Sequence, residues 1–108
     1  MGEMPIGVMY RCGNQPENLA AYARLVERLG YDELWVVEDC FFAGAVGAAA
    51  VAAAVTERLR IGIGILPAAF RNPAVAAMEL AGLCRMFPGR WKSRADRCRA
   101  ARVVGWPA

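Results

Sequence analysis

The chain has 108 residues, of which 57% are hydrophobic, and it carries a formal net charge of +3 with no histidine. Such a length suits one domain or part of one, and the apolar share is too high for a chain that is disordered over most of its length. The lack of histidine excludes zinc fingers and histidine-based catalysis within this chain.

The first predicted unit is a strand followed by an amphipathic helix. Residues 5–10 form a short apolar run, which predicts a strand buried on both faces. Asn14, Pro16 and Glu17 then predict a helix start, with Asn14 as the capping acceptor and Glu17 completing a capping box. Apolar residues at helical spacing lead to Gly30, where we expect a left-handed cap to end the helix.

Two further units repeat this order of strand and helix at intervals of about 30 residues. Residues 33–37 predict a second strand, residues 44–59 a second helix rich in alanine, and residues 61–66 a third strand. Asn72-Pro73 begins a third helix that ends at Pro88-Gly89. Strands joined through helices by short loops form parallel pairs with right-handed crossovers.

The predicted fold class is therefore α/β. The pattern is typical of a doubly wound sheet or of a TIM-type (β/α) barrel, and three strands complete neither architecture. We predict a truncated barrel that consists of its first three βα units.

The excess of basic residues lies at the C-terminal end. Residues 1–88 contain seven arginines and nine acidic residues, a net charge of −2, whereas residues 89–108 contain six basic residues and one acidic residue, a net charge of +5. We therefore predict an N-terminal part of a barrel domain over residues 1–90 and a basic tail over residues 91–108. The mixture of Arg, Ala and Cys in the tail is typical of an out-of-frame translation, and a disordered or divergent genuine tail is the alternative.

The cysteines and the apolar segments predict a cytoplasmic protein. Cys12, Cys40, Cys84 and Cys98 have no close pairing in sequence, so we expect reduced thiols and no metal site. Residues 1–9 lack the pattern of a secretion signal. The longest uncharged run, residues 40–56, is shorter than the roughly 20 residues of a spanning helix, so we expect no membrane segment.

Candidate site residues follow the predicted strands, because sites in parallel β/α folds form at the strands' C-terminal ends. Glu38 and Asp39 are adjacent carboxylates that could bind a polar cofactor edge or relay a proton, or could lie in a solvated loop. Cys40 is either a reactive thiol or inert packing. Gly62 and Gly64 lack the third glycine of a dinucleotide fingerprint, and they predict a bulge, a close ligand or packing.

Arg71 lies just before the predicted third helix. A side chain in this place either meets an anionic group at the helix N-terminus or remains solvated.

Seven short segments stand in a specific order and spacing along residues 5–90. They are Pro16-Glu17, Leu-Gly-Tyr-Asp at 29–32, Leu-Trp-Val-Val-Glu-Asp at 34–39, the run 56–67, Arg71-Asn72-Pro73, Met-Glu-Leu-Ala at 78–81 and Pro88-Gly89-Arg90. Together they resemble the amino-terminal part of the luciferase-like oxidoreductases, which depend on flavin or deazaflavin.

This resemblance implies an eight-stranded β/α barrel with flavin mononucleotide (FMN) or a deazaflavin as cofactor and a small organic molecule as substrate. It places the cofactor ring at the end of the third strand, at Gly64 and Ile65, where many members have a non-prolyl cis peptide. Glu38, Asp39 and Cys40 would line the same mouth. Many relatives carry a histidine near Cys40, and this chain has none, so no catalytic residue is assigned.

The function predicted is an oxidoreductase or monooxygenase that is incomplete and inactive as this fragment. The alternative is a non-catalytic module. Such a module would either contact nucleic acid through its basic tail or form a homo-oligomer through the open edge of the third strand. Residues 91–105 have no nucleic-acid motif and no aromatic platform, which argues against nucleic acid.

Overall fold

The computed structural model describes residues 4–11, 13–39, 41–64, 66 and 71–92. Four parallel strands form one sheet in chain order: β1 (Gly7–Tyr10), β2 (Glu33–Val36), β3 (Arg60–Ile63) and β4 (Trp91–Lys92). The connections contain a 3-10 helix (Pro16–Asn18) and three α-helices: α1 (Leu19–Arg28), α2 (Ala45–Ala54) and α3 (Pro73–Met86). The predicted α/β class and the parallel pairing of the first three strands are confirmed.

The core lies between the sheet and the helices. Val8, Leu34, Ile61 and Trp91 stand side by side in register, and the side chains of Leu34 and Ile61 are fully buried. Because right-handed crossovers between strands in chain order place every helix on the same side, α1, α2 and α3 cover this face. Alanines of α2 complete the core, since small side chains let this helix lie close to the sheet.

The opposite side of the sheet, which we call the open face, carries Gly7, Met9, Glu33, Trp35, Arg60, Gly62 and Lys92. Within the described residues no helix covers it, and Met9 is 55% exposed. The prediction that the first strand is buried on both faces is therefore wrong, because its alternate side chains point to a side where the described residues place no second layer.

The helix boundaries confirm two of the capping residues predicted from the sequence and correct a third. Asn72 caps α3 as predicted, since its Oδ1 accepts a hydrogen bond from the backbone N–H of Ala74 at 2.8 Å. Gly30 has a φ of +88°, as a left-handed cap requires. The capping box at Asn14 is wrong, because the N–H of Asn14 closes a turn onto the carbonyl of Arg11 and α1 begins only at Leu19.

The loop between α2 and β3, residues 55–59, is held from two sides. The carboxylate of Glu27 accepts hydrogen bonds from the backbone N–H groups of Glu57, Arg58 and Leu59, at 2.7–3.1 Å. The guanidinium of Arg90 donates to the carbonyls of Thr56 and Leu59. This loop ends α2 at Ala54, five residues before the predicted boundary.

The fourth strand was not predicted. Trp91 and Lys92 pair with Ile61 and Gly62 of β3, so they cover part of the edge that was expected to be open. They are the first two residues of the predicted basic tail, and the rest of that tail, 93–108, lies outside the described residues. No helix in the described part of the chain is long and apolar enough to cross a membrane.

Candidate functional site

The carboxylate of Glu38 connects three elements at the C-terminal end of the sheet. Glu38 follows β2, and its side chain is only 4% exposed. Its Oε2 accepts a hydrogen bond from the backbone N–H of Ala45, the first residue of α2, at 2.9 Å. Arg71, just before α3, donates from Nη1 and Nη2 to the two oxygens at 2.9 and 2.8 Å. One carboxylate thus joins the end of β2, the start of α2 and the approach to α3.

The electrostatics of this pair keep Glu38 ionised. The bidentate hydrogen bonds from Arg71 lower the pKa of Glu38, burial opposes this shift, and the N–H of Ala45 adds to it. Glu38 in turn raises the pKa of Arg71, whose Nε also lies 3.5 Å from Glu79 Oε1. A general base works best with a pKa near the operating pH, so this carboxylate is suited to positioning rather than to proton transfer.

The other residues predicted to line the cofactor site do not share the buried environment of Glu38 in the described part of the chain. Asp39 is exposed, so the two adjacent carboxylates face different surroundings. The carbonyl of Asp39 accepts a hydrogen bond from the N–H of Phe42, in a turn where Phe41 has a φ of +72°. Cys40 and Ile65 lie outside the described residues. No cis peptide bond occurs among the described residues.

Gly62 in β3 and Gly64 just after it have different structural roles. Gly62 lies beneath the indole of Trp35, and a Cβ there would stand 2.5 Å from Cε3 of the ring. Packing therefore explains this glycine. Gly64 is exposed one step beyond β3, where its N–H donates to the carbonyl of Val36 at 2.7 Å. A Cβ at Gly64 would contact Val37 at 3.2 Å, so the missing side chain leaves a strip of bare backbone beside Val37.

A polar cluster on the open face was missed by the sequence analysis. Glu33 Oε1 accepts a hydrogen bond from Trp35 Nε1 at 3.0 Å, and Glu33 Oε2 lies 3.1 Å from the ammonium of Lys92. The signal was the alternation along β2, which puts Glu33 and Trp35 on one face. Lys92 could not be added without knowing that β4 exists.

Among the cavities in the described part of the chain, two lie at opposite ends of the sheet. One of about 280 Å³ lies between the starts of α1 and α2, where small residues such as Gly44 and Gly47 leave space above Val36. The other, of about 510 Å³, lies at the N-terminal ends of the strands beside Glu27 and Arg60. In the described part of the chain, no three His, Cys, Asp or Glu side chains could hold one metal ion.

The chain is similar to known proteins over most of its length. A family model described as luciferase-like monooxygenase matches residues 4–92. Among solved structures, the coenzyme F420 dependent tetrahydromethanopterin reductase from Methanopyrus kandleri matches with a TM-score of 0.73 and 21% identity, over 98% of this chain and 31% of that one. Apo-MsnO8 matches with a TM-score of 0.72 and 23% identity, over 94% and 36%.

A third match is the oxygenating constituent of 3,6-diketocamphane monooxygenase from Pseudomonas putida, a type II Baeyer-Villiger monooxygenase in complex with FMN. Its TM-score is 0.73 with 17% identity, over 95% of this chain and 33% of that one. The chain therefore spans about a third of the length of these proteins. At such identities the likeness concerns the fold, and it confirms the prediction of the opening βα units of a longer barrel.

Proposed function

Because the chain belongs to the luciferase-like monooxygenase family, we propose that it forms the opening part of a barrel that binds FMN or a deazaflavin. The reaction we propose is oxidation, reduction or oxygenation of a small organic substrate. Two similar structures support this cofactor class, since one is described as dependent on coenzyme F420 and another is in complex with FMN. The chain spans about a third of each, and we propose that alone it has little or no turnover.

The observation that carries the proposal is the bare backbone at Gly64. Gly64 stands at the C-terminal end of β3, the end at which β/α barrels form their sites, and it is exposed with the apolar Val37 beside it. A planar ring fits against backbone that lacks a side chain. When bound, the cofactor supplies the electron chemistry, and the protein supplies orientation and exclusion of water.

We assign Glu38 a positioning role within this site rather than a contact with the cofactor. Each of its carboxylate oxygens accepts a hydrogen bond from Arg71, and Oε2 also accepts one from the N–H of Ala45. Through Arg71 it fixes the point where the chain returns from the end of β3 to α3. Asp39, exposed at the same end, together with Cys40 and Ile65, stays a proposed cofactor neighbour.

Direct titration of the full 108-residue chain tests the proposal. Flavin fluorescence should show weak, saturable binding of FMN or of a deazaflavin coenzyme, and Gly64→Val should weaken it tenfold or more by covering the bare backbone. Gly82→Val on α3 is the matched control, because a Cβ there meets nothing within 4 Å. No saturable binding of either cofactor, or equal weakening by both variants, would contradict the proposed site.

A further inference from the structure

The cavity of about 280 Å³ between the starts of α1 and α2 has mostly apolar walls and opens to solvent. Leu19 lines it from α1, and one face of α2 lines it with small or apolar residues at helical spacing: Gly44, Gly47, Ala48 and Val51. A Cβ at Gly47 would meet nothing within 4 Å, so packing does not explain this glycine. Because Gly47 and Val51 are exposed, a ligand can reach the cavity between the two helices.

Water has few partners in this cavity. The hydroxyl of Tyr10, which lines it, already donates to the carbonyl of Gln15. In the described part of the chain, no buried side-chain nitrogen or oxygen lacks a hydrogen-bond partner. A buried water is held by about two to four polar partners, whereas the side chains of Leu19 and Val36 offer none. Apolar molecules enter such a cavity more readily than water does.

The volume of the cavity sets the size of the ligand. A cavity of roughly 150 Å³ with apolar walls takes up benzene. The cavity between α1 and α2 has nearly twice that volume, so it suits an apolar body of roughly ten carbon atoms.

Arg11 places a positive charge at the mouth of the cavity. It follows β1, lines the cavity and is exposed. Among the described residues no carboxylate forms an ion pair with its guanidinium, and the buried carboxylate of Glu38 is already bound to Arg71. Asn14, which also lines the cavity, adds a side-chain amide that can donate. Because one guanidinium can form two parallel hydrogen bonds with one carboxylate, this mouth suits a ligand with a single carboxylate.

We propose that this cavity binds a small monocarboxylate with an apolar body. The body lies between α1 and α2, and the carboxylate accepts hydrogen bonds from Arg11 and Asn14. Such a ligand matches the volume of the cavity, its mostly apolar walls and the positive charge at its mouth.

This ligand site is separate from the site proposed for the cofactor. Val36 is buried on the side of the sheet that the helices cover, and its neighbour in register is Ile63. Gly64, one step beyond Ile63, belongs to the alternation of the open face. Val37 lies between the two sites, since it lines the cavity and borders Gly64. The cavity therefore takes a second molecule beside the cofactor, and its binding needs no flavin.

Titration of the full chain with 2-naphthoate, without flavin, tests this proposal. The probe joins an aromatic body of suitable size to one carboxylate, and its fluorescence reports binding. We expect saturable one-to-one binding, and the amide signals of Gly47 and Ala48 should shift in the nuclear magnetic resonance spectrum. The neutral 2-naphthamide should bind roughly tenfold more weakly, because it lacks the charge that pairs with Arg11.

Two pairs of variants locate the ligand. Gly47→Leu should fill the cavity and weaken binding of 2-naphthoate roughly tenfold or more, and the variant should fold because leucine has the higher helix propensity. Gly82→Leu in α3 is the matched control, since a Cβ there also meets nothing within 4 Å. Arg11→Gln should weaken 2-naphthoate roughly tenfold and leave 2-naphthamide unchanged. Arg60→Gln should change neither, because Arg60 lines the cavity at the other end of the sheet.

Several results would overturn the proposal. They are a lack of saturable binding, equal weakening by Gly47→Leu and Gly82→Leu, and 2-naphthamide binding as tightly as 2-naphthoate. Weakening by Arg60→Gln in place of Arg11→Gln would put the ligand in the other cavity and would overturn it too. Because every titration is made without flavin, failure of this site and failure of the proposed cofactor site are separate results.

Discussion

Replacing Arg71 with methionine would leave the Glu38 carboxylate buried with the N–H of Ala45 as its remaining partner among those described here. Removing one member of a buried ion pair costs about 3–5 kcal/mol. Because Arg71 is itself 21% exposed and the Ala45 hydrogen bond remains, we expect a loss of about 3 kcal/mol. A 108-residue chain has a free energy of unfolding of roughly 5–16 kcal/mol, so this loss is a large share of it.

Urea denaturation measures the effect. With an m-value of about 1.5 kcal/mol/M, the unfolding midpoint of Arg71→Met at pH 7 should fall by about 2 M. Arg24→Met is the control, since Arg24 is exposed on α1 and an exposed substitution usually changes stability by less than about 0.5 kcal/mol. Adding Glu38→Met to Arg71→Met should recover part of the loss, because the unpaired charge is then gone.

In Arg71→Met, the free energy of unfolding should depend on pH with the opposite sign to that in the unmutated chain. In the unmutated chain the pKa of Glu38 lies below its ordinary value of 4.5, so its stabilising contribution is present above pH 4.5 and is lost as the pH falls through the folded-state pKa. Without Arg71, burial should raise that pKa above 4.5, so acidification from pH 7 towards pH 5 should stabilise the variant. A loss below about 1 kcal/mol, or a variant whose stability falls over that pH range, would refute this reasoning.

Three further substitutions test other contacts by urea denaturation. Glu27→Gln should cost about 1–2 kcal/mol at pH 7. Burial raises the pKa of Glu27, but three backbone N–H groups outweigh it and lower the pKa, so the difference should shrink in acid, and no difference at pH 7 would contradict the assigned contacts. Gly62→Ala should cost about 1–3 kcal/mol through collision with Trp35, and an undiminished cost in a Trp35→Leu background would exclude that cause. Arg90→Lys should cost about 1–2 kcal/mol, since a single ammonium cannot reproduce the forked donation, and full stability would show that the fork is dispensable.

The order and direction of the first three strands could be read from the sequence, because periodicity and helix punctuation are local signals. Asn72 caps α3 through its own second neighbour, and Gly30 takes the left-handed conformation that ends α1. The start of α1 was misplaced because Asn14 has two local uses, a cap or a turn. In the structure its N–H closes a turn onto the carbonyl of Arg11, and the periodicity of apolar residues does not distinguish these two roles.

The candidate site was harder to predict, because its contacts join residues that are far apart in the chain. Glu38 was identified as a site residue, but its partner Arg71 lies 33 positions away and was expected to meet an anion or remain solvated. The strand β4 was missed for a related reason. Trp91 and Lys92 make too short a run to predict a strand, and they become one only because β3 and Glu33 lie beside them.

The two-sided grip on loop 55–59 has a consequence for the order in which a ribosome releases this chain. Glu27 precedes the loop by about 30 residues, so its carboxylate has already been synthesised when the amides of the loop leave the ribosome. Arg90 follows Leu59 by 31 residues, a delay of about 2–6 s at roughly 5–20 residues per second. During that interval the nascent loop has its N–H groups satisfied and its carbonyls exposed to water. The second βα unit is therefore secured only when synthesis has passed the third helix.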